Sequence, residues 1–349
     1  MAYASRGRHT VQGRSFPRHR RPGSCRRAAA AGLALVLVAV TVGCTPNPLD
    51  DRVRIAGSET LRGLLSSVVG DFATEHESAD VRIELSGTAD GLTLFCDGLV
   101  EIAAASRPIN TRERSACQES GVRPVELKVA LDAVSVITTP GSGPNCLTPS
   151  ELYAATGPES TGFDDWADVG ALAQSIDDDR SSDLPQPATP LAVVAPRSGS
   201  GTLDSFVGFA IEPIATERDA SPDLRADWRS TPSSGLILSE TLAGPANLGI
   251  VGFAEAAKWG DRVQLVAIKK DGSCVEPTTA TIGSGAYPFG RALYVYVDGA
   301  SLGTNPTEVA LVDFLLSSKG QELVEPSGTI ALPSKELATT RGRWAAAGD

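Results

Sequence analysis

Histidine is nearly missing from this sequence. Three occur in 349 residues, two of them in the first 43 positions and the third, His76, in the polar run TEHES. A Ser-His-Asp hydrolase would have to use that one ring, and no G-x-S-x-G elbow precedes a helix-like segment. Aromatic residues make up only 5% of the chain, which argues against the stacked rings of a sugar site. No Cys-x-x-Cys occurs, and no His/Asp/Glu cluster has metal-ligand spacing, so zinc, redox and metal chemistry find no support. The run RSGSGT lacks the lysine that would follow the last glycine of a P-loop. No cofactor and no catalytic residue is expected.

Acidic residues are missing from the first 43 positions, which hold eight arginines and then the apolar run AAAAGLALVLVAVTVGC. That order is an export signal, and the run is short for a membrane span. Removing the eight arginines takes the net charge from −11 to −19. A surface that acidic excludes nucleic acid as a partner, because phosphate backbones require basic surfaces. Any anion must then be held by local donors rather than by the overall field.

Six cysteines are present. Cys25 leaves with the signal and Cys44 ends it, so Cys96, Cys117, Cys146 and Cys274 remain. An even number in an exported chain points to two disulfides. Of three pairings, the favoured one joins Cys96 to Cys117, close in sequence, and Cys146 to Cys274, both beside Gly/Pro-rich turns.

From Val53 onward apolar strands alternate with helical spacing. VRIAG reads as a strand, and Leu61, Leu64, Leu65, Val68, Val69 and Phe72 follow i, i+3, i+4, i+7. VRIELSG and EIAAAS are further strands, and RERSACQESG is a polar helix. PVELKVALDAVSVITTP is a long crossing strand. LTPSELYAAT opens a middle section with a helix. IDDDRSSDLPQPATP reads as a solvated loop. LAVVAPRSGSGTLDSFVGFAIE and NLGIVGFAEAAKW are each strand then helix. YPFGRALYVYVD is a return strand, and TNPTEVALVDFLLSSKGQELVEPSG one long closing helix. The pattern predicts an α/β protein with largely parallel sheets in two lobes. The expected division is 1–43 signal, 44–51 lipidated cysteine and linker, 52–137 with 288–345 as lobe 1, and 138–287 as lobe 2.

Four Ser/Gly/Thr junctions share one design: GSET at 57–60, SGT at 86–88, SRP at 106–108 and RSGSGT at 197–202. At least three follow a strand and begin a helix. The first amides of a helix have no internal partner and carry the positive end of its dipole. A small residue lets an anion approach them, and a hydroxyl adds a donor. Arg107 and Arg197 can each fork onto two oxygens.

GSETL, SGTADGLTLFCDGLVEIAAASRPI, APRSGSGT, YPFGRALYVYV and FLLSSKGQELVEPSG, in this order, resemble the phosphate-binding proteins of phosphate ABC importers, the PstS family. The likeness runs from about Val53 to Pro333. It implies a type II periplasmic-binding fold, each lobe a mostly parallel sheet flanked by helices, with two crossing strands as hinge. Such a monomer closes on one inorganic phosphate and delivers it to a membrane permease. TVGC resembles a lipobox, with Cys44 the lipidated residue that anchors the chain to the outer face of the cell membrane. Carried over by motif, the ligand residues are Ser58, Thr60, Leu61 (by its amide), Thr88, Ser106, Arg107, Arg197, Ser200, Gly201 and Thr202. RSGSGT is one residue shorter than the family's usual spacing, and Asp90 stands where the family commonly has glycine. A carboxylate facing the ligand would accept the proton of HPO₄²⁻ and repel sulfate. Asp90 is the first candidate for it, with Glu59 and Asp132 the others. The competing reading is a surface-anchored oxyanion sensor or phosphoester-processing protein, or a receptor for sulfate or molybdate.

Overall fold

In the computed structural model, residues 52–177 and 184–348 are described. The expected signal, Cys44 and part of the acidic loop lie outside the described residues. The strands are β1 (Val53–Gly57), β2 (Val81–Leu85), β3 (Ile102–Ala105), β4 (Pro124–Thr138), β5 (Cys146–Leu147) and β6 (Val193–Pro196). Then come β7 (Arg229–Thr231), β8 (Leu248–Gly252), β9 (Gln264–Leu265), β10 (Ala267–Lys270), β11 (Ser273–Val275) and β12 (Gly290–Asp298). Nine of them form one sheet in the order β2-β1-β3-β12-β4-β8-β6-β7, with β9 beside β4.

Each wing of the sheet is parallel, as expected, and the centre is antiparallel. β1 is parallel to β2 and β3, and β6 is parallel to β7 and β8. Between these parallel wings, β12 and β4 run antiparallel to each other and to their outer neighbours. The two crossing segments seen in the sequence are the cause, since each passes through the middle in the opposite sense. β4 has fifteen residues. It pairs with β12 up to Ala133 and with β8 from Val134, so one strand serves both wings.

Separate apolar clusters fill the two sides. One gathers Ile55, Leu64, Phe72, Leu127, Val295 and Leu315; another gathers Tyr153, Trp166, Phe206, Ile250 and Tyr287. The helix Arg62–Glu75 shows how spacing becomes packing. It buries Leu64, Leu65, Val68 and Phe72, as the periodicity predicts, and each such side chain contributes roughly 1.5–3 kcal/mol. The Phe72 ring meets Phe314 edge-on at 5.8 Å. Both disulfides join the favoured pairs, Cys96 to Cys117 and Cys146 to Cys274.

The closing segment differs from expectation. The helix Pro306–Leu316 ends at Ser317, whose extended backbone breaks it. The Ser317 hydroxyl accepts from the Gly320 amide and starts a second helix, Ser318–Glu322. A further helix, Ser334–Ala347, was not anticipated. It packs back on β4, where Thr340 Oγ1 donates to the Lys128 carbonyl at 3.0 Å and Lys128 pairs with Glu336 at 2.7 Å. The sequence reading also missed the small sheet β11-β10-β5, whose strands are too short to show a period.

Candidate functional site

The ends of β1, β2, β3 and β6 carry the four junctions. β1 ends at Gly57, whose φ of +140° suits glycine alone; a Cβ there would strike the Ala104 backbone. Ser58 follows and caps the turn Glu59–Leu61, its Oγ accepting from the Thr60 amide at 3.3 Å. Across the sheet, Ser200 repeats the device at the helix Gly201–Phe206, accepting from the Thr202 amide at 3.3 Å. The two capped starts face each other over a cavity of about 480 Å³ lined by Ser58, Thr60, Ser86, Arg197, Ser200 and Thr202 among others.

Beneath it lies a chain of buried hydroxyls. Ser58 Oγ donates to Ser106 Oγ at 3.1 Å, and Thr88 Oγ1 and Ser106 Oγ are 3.2 Å apart. The Ser106 amide donates to Thr88 Oγ1 at 3.2 Å. Gly201 comes so close that a Cβ would collide with the Ser106 and Thr88 hydroxyls. Only glycine permits this approach.

The expected residues separate into three groups. Ser58, Thr60, Ser200, Gly201, Thr202 and Arg197 line the cavity. Thr88 and Ser106 are fully buried and do not line it, but are tied to Ser58 through the hydroxyl chain. Leu61 and Arg107 are engaged elsewhere. The Leu61 side chain is in the core and its amide donates to the Ser58 carbonyl at 3.2 Å. Arg107 forks onto Glu113 at 2.8 and 2.9 Å, and its Nε reaches Asp204 at 3.1 Å. The bond to Glu113 raises its already high pKa against the opposing effect of burial, with Asp204 adding to the rise. Glu113 also closes the capping box of the helix Thr111–Glu119 with Asn110, so helix start and arginine share one carboxylate.

Arg197 bonds the Ser86 carbonyl and lies 3.4 Å from Asp90. Both partners of that pair are about half exposed, at 46% and 54%. Glu59 is exposed and pairs with Arg62 at 2.7 Å. Asp132 is completely buried and pairs with Arg291 at 2.8 Å.

Arg291 is the residue the sequence reading left out. It lies inside the quoted motif YPFGRALYVYV, on β12. Its Nη1 donates to the Gly201 carbonyl at 3.0 Å, and its Nη2 reaches Thr202 Oγ1 at 3.0 Å and Thr60 Oγ1 at 3.3 Å. A signal was available. β12 buries Arg291, Leu293, Val295 and Val297 on alternate positions, so this arginine occupies the core-facing phase of the strand. A charge there requires a partner, and Asp132 stands directly opposite on β4.

No group of three or more His, Cys, Asp or Glu among the described residues is placed to hold a metal. No described helix is long and apolar enough to cross a membrane. What the site offers is hydroxyl and guanidinium groups along one side of the cavity.

Residues 43–319 match the model of a family described as the PBP superfamily domain. Protein SphX of Synechocystis sp. is 30% identical over 308 residues, 87% of this chain and 84% of its own. The phosphate-binding protein PstS of Staphylococcus epidermidis is 27% identical over 282 residues, 80% of this chain and 78% of its own. A crystal structure described as a possible phosphate binding protein from Planctomyces limnophilus superposes with a TM-score of 0.60. It is 26% identical and covers 85% of this chain and 99% of its own. An ABC-type phosphate transport receptor from Vibrio cholerae, at 18% identity, shares the fold with a TM-score of 0.60 over 80% of this chain and 99% of its own. The mixed α/β fold is therefore that of the type II periplasmic binding proteins, and the chain belongs to the PBP superfamily and, within it, to the PstS family.

Proposed function

We propose that this protein is an exported receptor that binds one inorganic phosphate between two lobes, 52–137 with 288–345 and 138–287, and delivers it to the permease of an ABC importer. Cys44 would carry the lipid that holds it at the outer face of the membrane. The observation that carries the reading is the pair of serine-capped helix starts facing one another across a cavity, with a chain of buried hydroxyls tied to Ser58. Each start presents the positive end of a dipole and its hydroxyls, Ser58 and Thr60 on one side and Ser200 and Thr202 on the other. Together they supply an anion with donors that the chain's acidic surface does not. With no nucleophile–base pair in the sequence, the site binds and releases its ligand unchanged.

The mechanism follows from where these donors stand. Ser58, Thr60, Thr88 and Ser106 come from one wing of the sheet; Arg197, Ser200, Gly201 and Thr202 come from the other. An anion between them binds the closed arrangement better than an open one, and that difference moves the equilibrium toward closure. The close packing of Gly201 on Ser106 and Thr88 sets how far the lobes can approach.

Calorimetric titration of residues 45–349 with phosphate, after removal of bound ligand and with sulfate as competitor, tests the reading. One phosphate per chain, with no turnover of a phosphomonoester, is the expected result. Absence of phosphate binding, or equal binding of sulfate, would assign the site to another anion.

A further inference from the structure

Arg291 joins four separate segments. On β12 it stands opposite Asp132 of β4, and its Nε and Nη2 both reach Asp132 Oδ2, at 3.2 and 2.8 Å. The other carboxylate oxygen accepts the Ala254 amide at 3.2 Å. Nη1 holds the Gly201 carbonyl, and Nη2 is shared with Thr60 Oγ1 and Thr202 Oγ1. The guanidinium and carboxylate side chains are 3% and 0% exposed.

We propose that Arg291 is a positioning residue that turns the Thr60 and Thr202 hydroxyls into donors toward the ligand. The inference rests on the phosphate-binding reading above. A guanidinium has only donors, whereas a hydroxyl has one proton and two acceptor positions. When Arg291 donates to a threonine oxygen, that hydroxyl accepts along this line, and its single proton must point elsewhere. Both threonines line the cavity. Among the described residues neither hydroxyl donates to any protein acceptor. The two protons are thus directed at the space an anion would occupy, from opposite wings of the sheet. Asp132 fixes the guanidinium in the one orientation that serves both. The same contacts bring Thr60 and Gly201–Thr202, from opposite wings, onto one guanidinium.

The simpler role for Arg291 would be to neutralise Asp132. Three variants separate the two by phosphate titration alongside thermal unfolding. R291K keeps the positive charge but lacks the planar fork. D132N/R291Q removes both charges, leaving no unpaired one behind. Positioning predicts that both bind phosphate roughly 10- to 100-fold more weakly than the native chain, while the double variant keeps a near-native melting temperature. It also predicts that T202V costs less affinity in the D132N/R291Q background than in the native one, because the two residues act through one contact. Affinity within about threefold of native in R291K or in the double variant, judged against the tenfold loss that positioning requires, would overturn the proposal and leave charge neutralisation as the role. So would full additivity with T202V. If the native chain itself does not bind phosphate, the reading beneath is lost, and this one with it.

Discussion

Two arginine–aspartate pairs close to the cavity differ in almost every physical respect. Arg291 and Asp132 lie inside, with side chains 3% and 0% exposed, 2.8 Å apart and directly opposite on neighbouring strands. Arg197 and Asp90 lie at the rim, 46% and 54% exposed and 3.4 Å apart. Burial determines what each can do. A pair held in the interior repays its desolvation only if every remaining lone pair and proton is satisfied. The inner pair is largely satisfied, through Ala254, Gly201, Thr60 and Thr202. An exposed pair gains little and loses little when it separates. The inner pair is therefore costly to break, and the outer pair cheap to separate.

The largest effect should come from breaking the inner pair on one side. Asp132→Ala leaves the Arg291 charge buried without its carboxylate, which costs about 3–5 kcal/mol. Urea unfolding should show it as a lowered midpoint at unchanged slope. A midpoint within error of native would mean the interior admits water to Arg291, and the contrast between the pairs would dissolve.

The inner pair was also the part hardest to read in the sequence. Ser58 and Ser200 were legible because capping is local: a hydroxyl and an amide two residues on, both inside one short motif. The strands and the helical spacing of Leu64, Leu65, Val68 and Phe72 were legible for the same reason. Arg291 and Asp132 are 159 residues apart, and nothing near either names the other. Arg107 misled in the opposite direction. Its motif suggested an anion fork, but Glu113, six residues on, and Asp204 of the other wing already fill that fork. The break at Ser317 was likewise hidden, because the apolar spacing continues past it while a hydroxyl cap overrides it.

Glu308 sharpens the comparison as a buried carboxylate with no ion pair among the described residues. Burial first, then the nearby charges of Glu101 and Asp298, push it from 4.5 to about 7. The folded state thus holds this proton more tightly than the unfolded chain. Its stabilising contribution is complete below about 4.5 and is lost as pH rises through about 7. Glu308→Gln mimics the protonated form. It should raise stability relative to native at pH 8 by on the order of 2–3 kcal/mol, read as a higher melting temperature, and make little difference at pH 4.5. An equal gain at both pH values would mean that the carboxylate is not titrating in the fold.

The outer pair should give the smallest change in stability and the clearest change in binding. Removing an exposed pair costs about 1 kcal/mol or less, so Arg197→Ala should unfold close to native. If Arg197 contributes a fork to the anion, its phosphate affinity should nevertheless fall about tenfold, the size of one charge-assisted contact; native affinity would make Arg197 a rim contact to Ser86 and Asp90 alone. Asp90→Asn then isolates the carboxylate. If Asp90 accepts the ligand's proton on closure, sulfate should compete with phosphate in this variant and not in the native chain. If selectivity is unchanged, the acceptor must be sought at Glu59. Asp132 is the weaker alternative, because both of its oxygens are already bonded, to Arg291 and to the Ala254 amide.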